Sequence, residues 1–379
     1  MKLNFLATGL LAIVLGCSTS KPTEMIADPT TYTFLLGTYT DNESQGINQL
    51  EFTPESNTLE VRPIFSGIQN PSFVIANQSG DSVFSLEEIN STSGGNVVSF
   101  TRSAEDGNLT LINKLPTNGD HPCYLGLSPD EKFLVVGNYS GGNLSAYAVD
   151  EQGKLAHLQT IQHEGSSINK SRQESAHVHS TVFSPDGKHL LVGDLGTDQV
   201  YVYNFDKTAE LPLSLNNTVH VNPGDGPRHI AFSKDGQELY VVEELIAALN
   251  IFSFDNGKIS PVKQISLLSD GFEGEVGAAE VRVSPDGKNV YASNRGDANT
   301  ISVLSKTASG GYEFTQQVSS GGETPRNFNL THDGNYLLAA NQASNTVVVF
   351  ERNEETGMLS QTDWKVSVHK PVYLFEVTD

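Results

Sequence analysis

Arg228, in Gly226-Pro227-Arg228-His229, and Glu244, in Glu243-Glu244-Leu245, lie just before and just after a pair of short β-type runs. A hairpin made of those runs brings the guanidinium and the carboxylate to one end. An arginine binds a carboxylate or phosphate through two parallel N–H bonds. A glutamate held beside it has a depressed pKa and suits the role of a base better than that of an acid. Of the neighbouring carboxylates Glu243 and Glu244, alternation along a strand end sends one inward and the other to solvent. Similar settings hold Arg295, in Ser293-Asn294-Arg295-Gly296, and Arg326, in Thr324-Pro325-Arg326-Asn327, with Arg172 a further candidate. The chain has only 23 Lys and Arg against 45 Asp and Glu, so arginines gathered on one face predict a site for an acidic group.

Two histidines add a second kind of chemistry. His177 and His179 flank Val178; a regular strand puts both rings on one side, and an irregular start splays them. The spacing would suit a pair of zinc ligands, but no third ligand is spaced to complete a site, and no metal is expected. The expectation is one structural and one functional histidine, with His179 the functional one. Asp194 and Asp198 read either as counter-ions of the arginines or as structural groups. Asn138, in Asn138-Tyr139, falls on the same set of loops. His177, Arg326, Asp194 and Asn138 are therefore expected to line the substrate, with His179, Arg228, Glu244 and Arg295 at the reacting bond. Cys123 reads as a small apolar residue on a buried strand.

The elements that must hold these residues repeat. The turns Ser128-Pro129-Asp130-Glu131, Ser184-Pro185-Asp186-Gly187, Ser233-Lys234-Asp235-Gly236, Ser284-Pro285-Asp286-Gly287 and Thr331-His332-Asp333-Gly334, with Ala76 to Gly80 as a variant, recur at roughly 50-residue intervals. A short β-type run precedes each turn, a stronger one follows, and two more come before the next unit; no stretch has a helical period. This predicts an all-β, seven-bladed β-propeller of four-stranded antiparallel blades. Pro371 to Val377 looks like a first strand lacking a second, and Tyr32 to Leu36 and Ile47 to Phe52 like second and third strands lacking a first. Pairing the N- and C-terminal strands in one blade closes the ring and leaves no propagating edge. In such blades, loops into first strands and loops out of second strands share a face. That face collects the arginines, histidines and Glu244, while the other collects the Asp-Gly turns, so function belongs on the first.

Composition excludes other classes. The net charge of −22 argues against nucleic acid, whose phosphates need clustered Lys and Arg. Met1-Lys2, the apolar run Phe5 to Leu15 and Gly16-Cys17-Ser18 read as a signal peptide over 1–16 whose end resembles a bacterial lipobox. Cys17 would then be lipidated, 17–31 would be a tether, and 32–379 a single propeller domain held at the cell envelope by the lipid alone. Cys123 is then the one remaining thiol and has no disulfide partner.

The segments RQESAHVHS, DLGTDQV, GPRHIAFSKDG, EELIAALNIF, AAEVRVSPDGKNVYASNRG and TPRNFNLTHDG resemble those of the lactonase family of seven-bladed β-propellers. That family includes a bacterial 6-phosphogluconolactonase and the fungal carboxymuconate-lactonising enzyme. The resemblance runs from about Tyr32 to Val377. It implies a cofactor-free hydrolase, or in reverse a cyclase, acting on a small-molecule lactone that bears an acidic group. It also implies a histidine, two arginines and a glutamate as the important residues, matched here by Arg228, Glu244 and Arg295 with the choice between His177 and His179 open. Two features depart from the family. The residue before the glutamate is usually Asn and is Glu243 here, and a lipoprotein signal is foreign to a cytosolic sugar-phosphate route. The expected function is hydrolysis of a sugar-acid lactone carrying an acidic group. The alternatives are an envelope propeller that binds a glycan, metabolite or protein without catalysis, and a muconate-type cyclase.

Overall fold

The repeated turns are built by their own side chains. In the turn after Val178–Phe183, Ser184 Oγ donates to Asp186 Oδ1 at 2.6 Å, the Lys188 N–H donates to the same oxygen at 3.1 Å, and the His189 N–H donates to Ser184 Oγ. Gly187 takes φ +66°, the left-handed conformation that closes the bend. The same bonds recur at Ser233 and Asp235, Ser284 and Asp286, and Thr331 and Asp333. At Ser128 and Asp130 the left-handed position is held by Glu131, at φ +60°.

Each turn joins the first two strands of a four-stranded antiparallel sheet, and there are seven such sheets. The protein is seen here as a computed structural model that describes residue 1 and residues 30–378 apart from 43, 44 and 93. Cys17 and nearly all of the expected signal segment and tether lie outside the described residues. Blade 1 is the mixed blade: Pro371–Val377 pairs with Tyr32–Thr38, followed by Gly46–Thr53 and Thr58–Ser66, with Leu35 opposite Phe375. The first strands of blades 2 to 7 are Val74–Ala76, Pro122–Leu127, Val178–Phe183, Pro227–Phe232, Ala278–Val283 and Pro325–Leu330. Among the described residues the one helical element is a 3-10 turn at Pro54–Ser56, and no helix is long and apolar enough to cross a membrane.

Burial explains the sequence pattern. Second strands such as Glu238–Glu243 are buried almost throughout, because both faces pack on adjacent blades. Phe34, Leu36, Leu50 and Phe52 of blade 1 meet Leu338, Ala340, Val347 and Val349 of blade 7, all fully buried. Each Phe, Leu or Val side chain so buried contributes roughly 1.5–3 kcal/mol. Fourth strands face outward and are mostly exposed, as in Leu213–His220. Side-chain amides on these outer strands extend the hydrogen bonding between blades. Asn113 both donates to and accepts from the Leu155 backbone; Gln159 does so with Leu213 and Gln316 with Leu359.

Candidate active site

The pairing of first and second strands breaks at the same height in blades 3 to 7. The residues passed over are Cys123, His179, Arg228 with His229, Ala279 with Glu280, and Arg326. A bulge releases a residue from the ladder and re-aims its side chain. Here it turns a ring of residues toward the central channel: Cys123, Arg228, His229 and Arg326 line one narrow cavity with Ser72, Glu88, Asn327 and Tyr373. The bulge also splays His177 and His179, as an irregular strand start would.

Glu244 leaves the second strand of blade 5 and meets three guanidinium groups. Arg172 donates to Oε1 at 2.5 Å, Arg295 lies 3.0 Å from Oε2, and Arg228 Nε lies 2.9 Å from Oε2 without the alignment of a hydrogen bond. Arg228 is almost fully buried and donates to the Ala279 carbonyl at 2.6 Å; Arg295 donates to the Gly277 carbonyl. Burial by itself would raise the Glu244 carboxyl, but Arg295, Arg228 and Arg172 reverse this and hold it well below the usual carboxylate range. Burial, then Arg295 and Arg326, lower Arg228 to about 9, which leaves it charged at neutral pH. At neutral pH Glu244 is therefore an ionised carboxylate set among three guanidinium groups, with the depressed pKa expected of it. It holds together three cations that repel one another.

His179 lies deeper, with its ring edge-on to His229 at 5.3 Å and to Tyr139 at 5.3 Å, and Nδ1 3.7 Å from Cys123 Sγ. Its Nε2 makes no hydrogen bond among the described residues. Burial, then Arg228, His229 and Arg326, push its pKa well below 6.5, so the imidazole is neutral. His177 sits at the rim, stacked on Tyr139 with ring centroids 4.4 Å apart, and Nδ1 lies 3.0 Å from the Tyr139 carbonyl, to which it donates. Cys123 is buried on its strand as expected, and burial pushes its thiol far up.

Beneath the arginines lies a second layer. Glu280 accepts from Asn327 at 2.5 Å and faces His229 at 3.3 Å and Arg282 at 3.6 Å. Burial opposes its ionisation, yet Arg282 and His229 bring its carboxyl down to about 2. Burial, then Arg228, lower His229 to about 4, and both of its ring nitrogens are without a hydrogen bond.

Several expected site residues stand elsewhere. Asn138 is fully buried and donates to the Thr117 carbonyl and to Asn143; Asp194 is fully buried, pairs with His163 at 2.7 Å and accepts from the backbone N–H groups of His177, Gly196 and Thr197. Asp198 accepts from Ser167, Gln173 and the backbone of Gly224 and Gly226. These groups shape loops and are not counter-ions of the arginines. Glu243 does not reach solvent either: it is fully buried and accepts from Asn250 at 2.7 Å. Burial raises its pKa well above the usual range, so it carries a proton. Asn138, Glu243, Asn294 and Asn341 all end second strands, and the three asparagines each donate to a carbonyl of the preceding loop. Glu243 holds the same position without that bond: its Oε2 is buried and has no hydrogen-bond partner among the described residues.

The sequence places Glu88 and Tyr139 on this face, in the loops Glu87-Glu88 and Asn138-Tyr139, without assigning them a role, and it does not anticipate Tyr39 there. The Tyr39 hydroxyl bonds to both oxygens of Glu88, at 2.9 and 3.0 Å, and the Arg326 guanidinium lies over the Tyr39 ring at 5.5 Å. Tyr39 belongs to the closing blade, far in sequence from Arg326. Among the described residues no group of three His, Cys, Asp or Glu side chains is disposed to hold a metal.

Comparison with known proteins agrees with the fold. The family described as "Lactonase, 7-bladed beta-propeller" matches residues 33–375. A 6-phosphogluconolactonase of Formosa agariphila is 32% identical over 341 residues, covering 88% of this chain and 96% of that protein. A 6-phosphogluconolactonase of Bacillus subtilis is 30% identical over 346 residues, covering 90% and 97%. Among solved structures, the periplasmic gluconolactonase of Pseudomonas aeruginosa superposes with a TM-score of 0.86 at 34% identity, covering 92% of this chain and 99% of its own. A putative 6-phosphogluconolactonase of Bacteroides fragilis gives 0.84 at 32% identity, covering 94% and 100%. With its closed ring and its match over nearly all the described residues, the chain belongs to the lactonase family of seven-bladed β-propellers.

Proposed function

We propose that the chain hydrolyses a sugar-acid lactone carrying an acidic group, at the arginine-lined end of the channel. The observation that carries this reading is the cluster of Arg172, Arg228 and Arg295 on Glu244, next to a buried neutral His179. Three cations on one carboxylate leave an excess of positive charge in a chain of net charge −22, enough to draw an anionic ligand to this end. The relatives named as lactonases support a hydrolase.

In this mechanism the arginines hold the acidic group and donate to the carbonyl oxygen as it gains negative charge. Water adds to the ester carbon while His179 takes its proton. The tetrahedral intermediate then collapses, the ring C–O bond breaks, and the imidazolium returns the proton to the leaving alkoxide, giving the open hydroxy acid. Glu244 holds the arginines in place throughout. A panel of phosphorylated and unphosphorylated aldonolactones, followed by titration of released acid, tests this. Opening of at least one lactone well above its spontaneous rate, abolished in His179→Gln, is expected. No acceleration of any lactone, alongside saturable binding of another ligand, would favour the non-catalytic propeller.

We also propose that lipid on Cys17 holds the protein at the cell envelope, a location in keeping with the periplasmic relative. Cys17→Ala should move it from the membrane fraction to the soluble fraction.

A further inference from the structure

Across the channel from Glu244 stand a second carboxylate and arginine, Glu88 and Arg326, in a different environment. Glu88 follows the second strand of blade 2, and its carboxylate accepts only from the Tyr39 hydroxyl among the described residues. Arg326 packs on the same Tyr39 ring and makes no hydrogen bond or ion pair there. Glu88 and Arg326 share their cavity with Ser72, which is buried and whose Oγ has no partner. Asn70 fixes the loops beneath: it accepts from the Thr40 N–H at 2.9 Å and donates to the Glu88 carbonyl at 3.2 Å.

The chemistry of these groups selects a ligand. Glu88 is an acceptor, the Arg326 guanidinium a donor, and the Ser72 hydroxyl both, all with capacity unspent inside the protein. An alcohol both donates and accepts, so neighbouring hydroxyls can bond to carboxylate and guanidinium together. A doubly ionised phosphate has no proton to donate, and its charge would confront Glu88. The cavity that these groups line is polar and narrow, with room on the order of one water molecule. The Glu244 side differs, since its carboxylate is already saturated by arginines.

We propose that Glu88, Arg326, Tyr39 and Ser72 form a subsite that reads hydroxyl groups of the ligand, with Glu88 as the specificity-determining residue. This deepens, and rests on, the reading of the channel mouth as a lactone site. It places the hydroxyls of that sugar-acid ligand opposite the arginine cluster. It also separates Arg326 from the other arginines, as a donor to alcohols in place of an anchor for the acidic group.

Calorimetric titration with gluconate and with hexanoate, which share a carboxylate and a six-carbon chain and differ in hydroxyls, tests the subsite. The protein should bind gluconate at least about tenfold more tightly than hexanoate, the effect of one hydrogen bond to a charged group. In Glu88→Gln the preference should fall to within about twofold. Equal affinity in the unsubstituted protein, undetectable gluconate binding, or a preference unchanged in Glu88→Gln would overturn the proposal. Ser72→Ala removes a hydroxyl that bonds nothing in the protein, and it carries the test if Glu88→Gln does not fold; an unchanged preference again overturns the proposal. Opening of gluconolactone on the same protein keeps the two readings apart. A Glu88-dependent preference without lactone opening sinks the hydrolase and leaves the subsite, whereas opening with no such preference does the reverse.

Discussion

On one face of the ring, Asp186, Asp235, Asp286 and Asp333 each accept a hydrogen bond from a hydroxyl two residues before and from an N–H two residues after, within their own turn. On the other face, Glu244 accepts from no neighbour in sequence and binds arginines that come from the loop before blade 4, the first strand of blade 5 and the end of the second strand in blade 6. The turn carboxylates are repeated and solvated, and each is held first by its own turn, although Asp286 also accepts from Arg352 and Asp333 from the Tyr32 hydroxyl. Glu244 is distant in sequence from its partners, buried, and paired with three arginines. A charge in water loses little when its partner goes, whereas a buried charge stripped of its partner is strongly destabilising. The difference separates residues that make the propeller from residues that make this propeller a site.

The sharpest break of that contrast is Arg228→Ala. It removes the most buried guanidinium of the cluster and should lower lactone-opening kcat/KM by about 10³ or more, the scale of losing an oxyanion donor. A near wild-type rate would remove Arg228 from the reaction. Glu244→Gln comes next. It leaves three cations facing a neutral amide and should cost about 3–5 kcal/mol in denaturant unfolding at neutral pH, as breaking a buried pair does. The sign of its pH dependence follows from the lowered carboxyl. Stability from Glu244 is present above the unfolded carboxylate pKa and lost as pH falls through the folded value, so the gap between variant and wild type should close only in strong acid. A gap that closes near pH 5 would mean that the arginines do not hold Glu244 as described.

The ring was legible because its turns are written locally. Ser184 to Gly187 and its repeats need nothing outside five or six residues, and the unfinished ends at Tyr32 and Val377 show how the circle closes. Arg228 and Glu244 were legible for the same reason, as two ends of one hairpin. Arg172 reaching Glu244, and Tyr39 joining Glu88 under Arg326, were not, because each contact crosses blades and depends on ring closure. Asn138, Asp194 and Glu243 were misplaced for a subtler reason. They end second strands, next to the mouth in sequence, and only the register shows their side chains turned into the blades. The signal was available: Asn138, Asp194, Glu243, Asn294 and Asn341 hold one position in successive blades, and a polar residue that recurs there marks architecture.

Glu243→Gln probes that boundary, since Glu243 adjoins the site yet has a structural position. Its raised pKa means that the folded state keeps a proton the unfolded chain releases above about pH 4.5. Stability from this residue is therefore full below the unfolded value and lost as pH rises toward the folded one. Glutamine is neutral at every pH, so the variant should match wild type near pH 4 and unfold at a higher temperature at pH 7 to 8, with lactone opening retained. A lower melting temperature at pH 8 would show that Glu243 is ionised in place.

Asp235→Ala should have the smallest effect, although it deletes a carboxylate as surely as Glu244→Gln does. Asp235 is exposed and accepts from Ser233 Oγ at 2.6 Å and the Gln237 N–H at 3.1 Å. The Ser233 hydroxyl still receives the Glu238 N–H, and Gly236 still supplies φ +71°, so the hairpin keeps its bend. The expected loss is about 1 kcal/mol in denaturant unfolding, the net worth of an ordinary hydrogen bond, with kcat/KM unchanged. This turn belongs to the blade that carries Arg228 and Glu244, at the opposite end of the same hairpin. A fall in kcat/KM would therefore mean that strain in the turn reaches the channel along those two strands, and that the two faces are not independent.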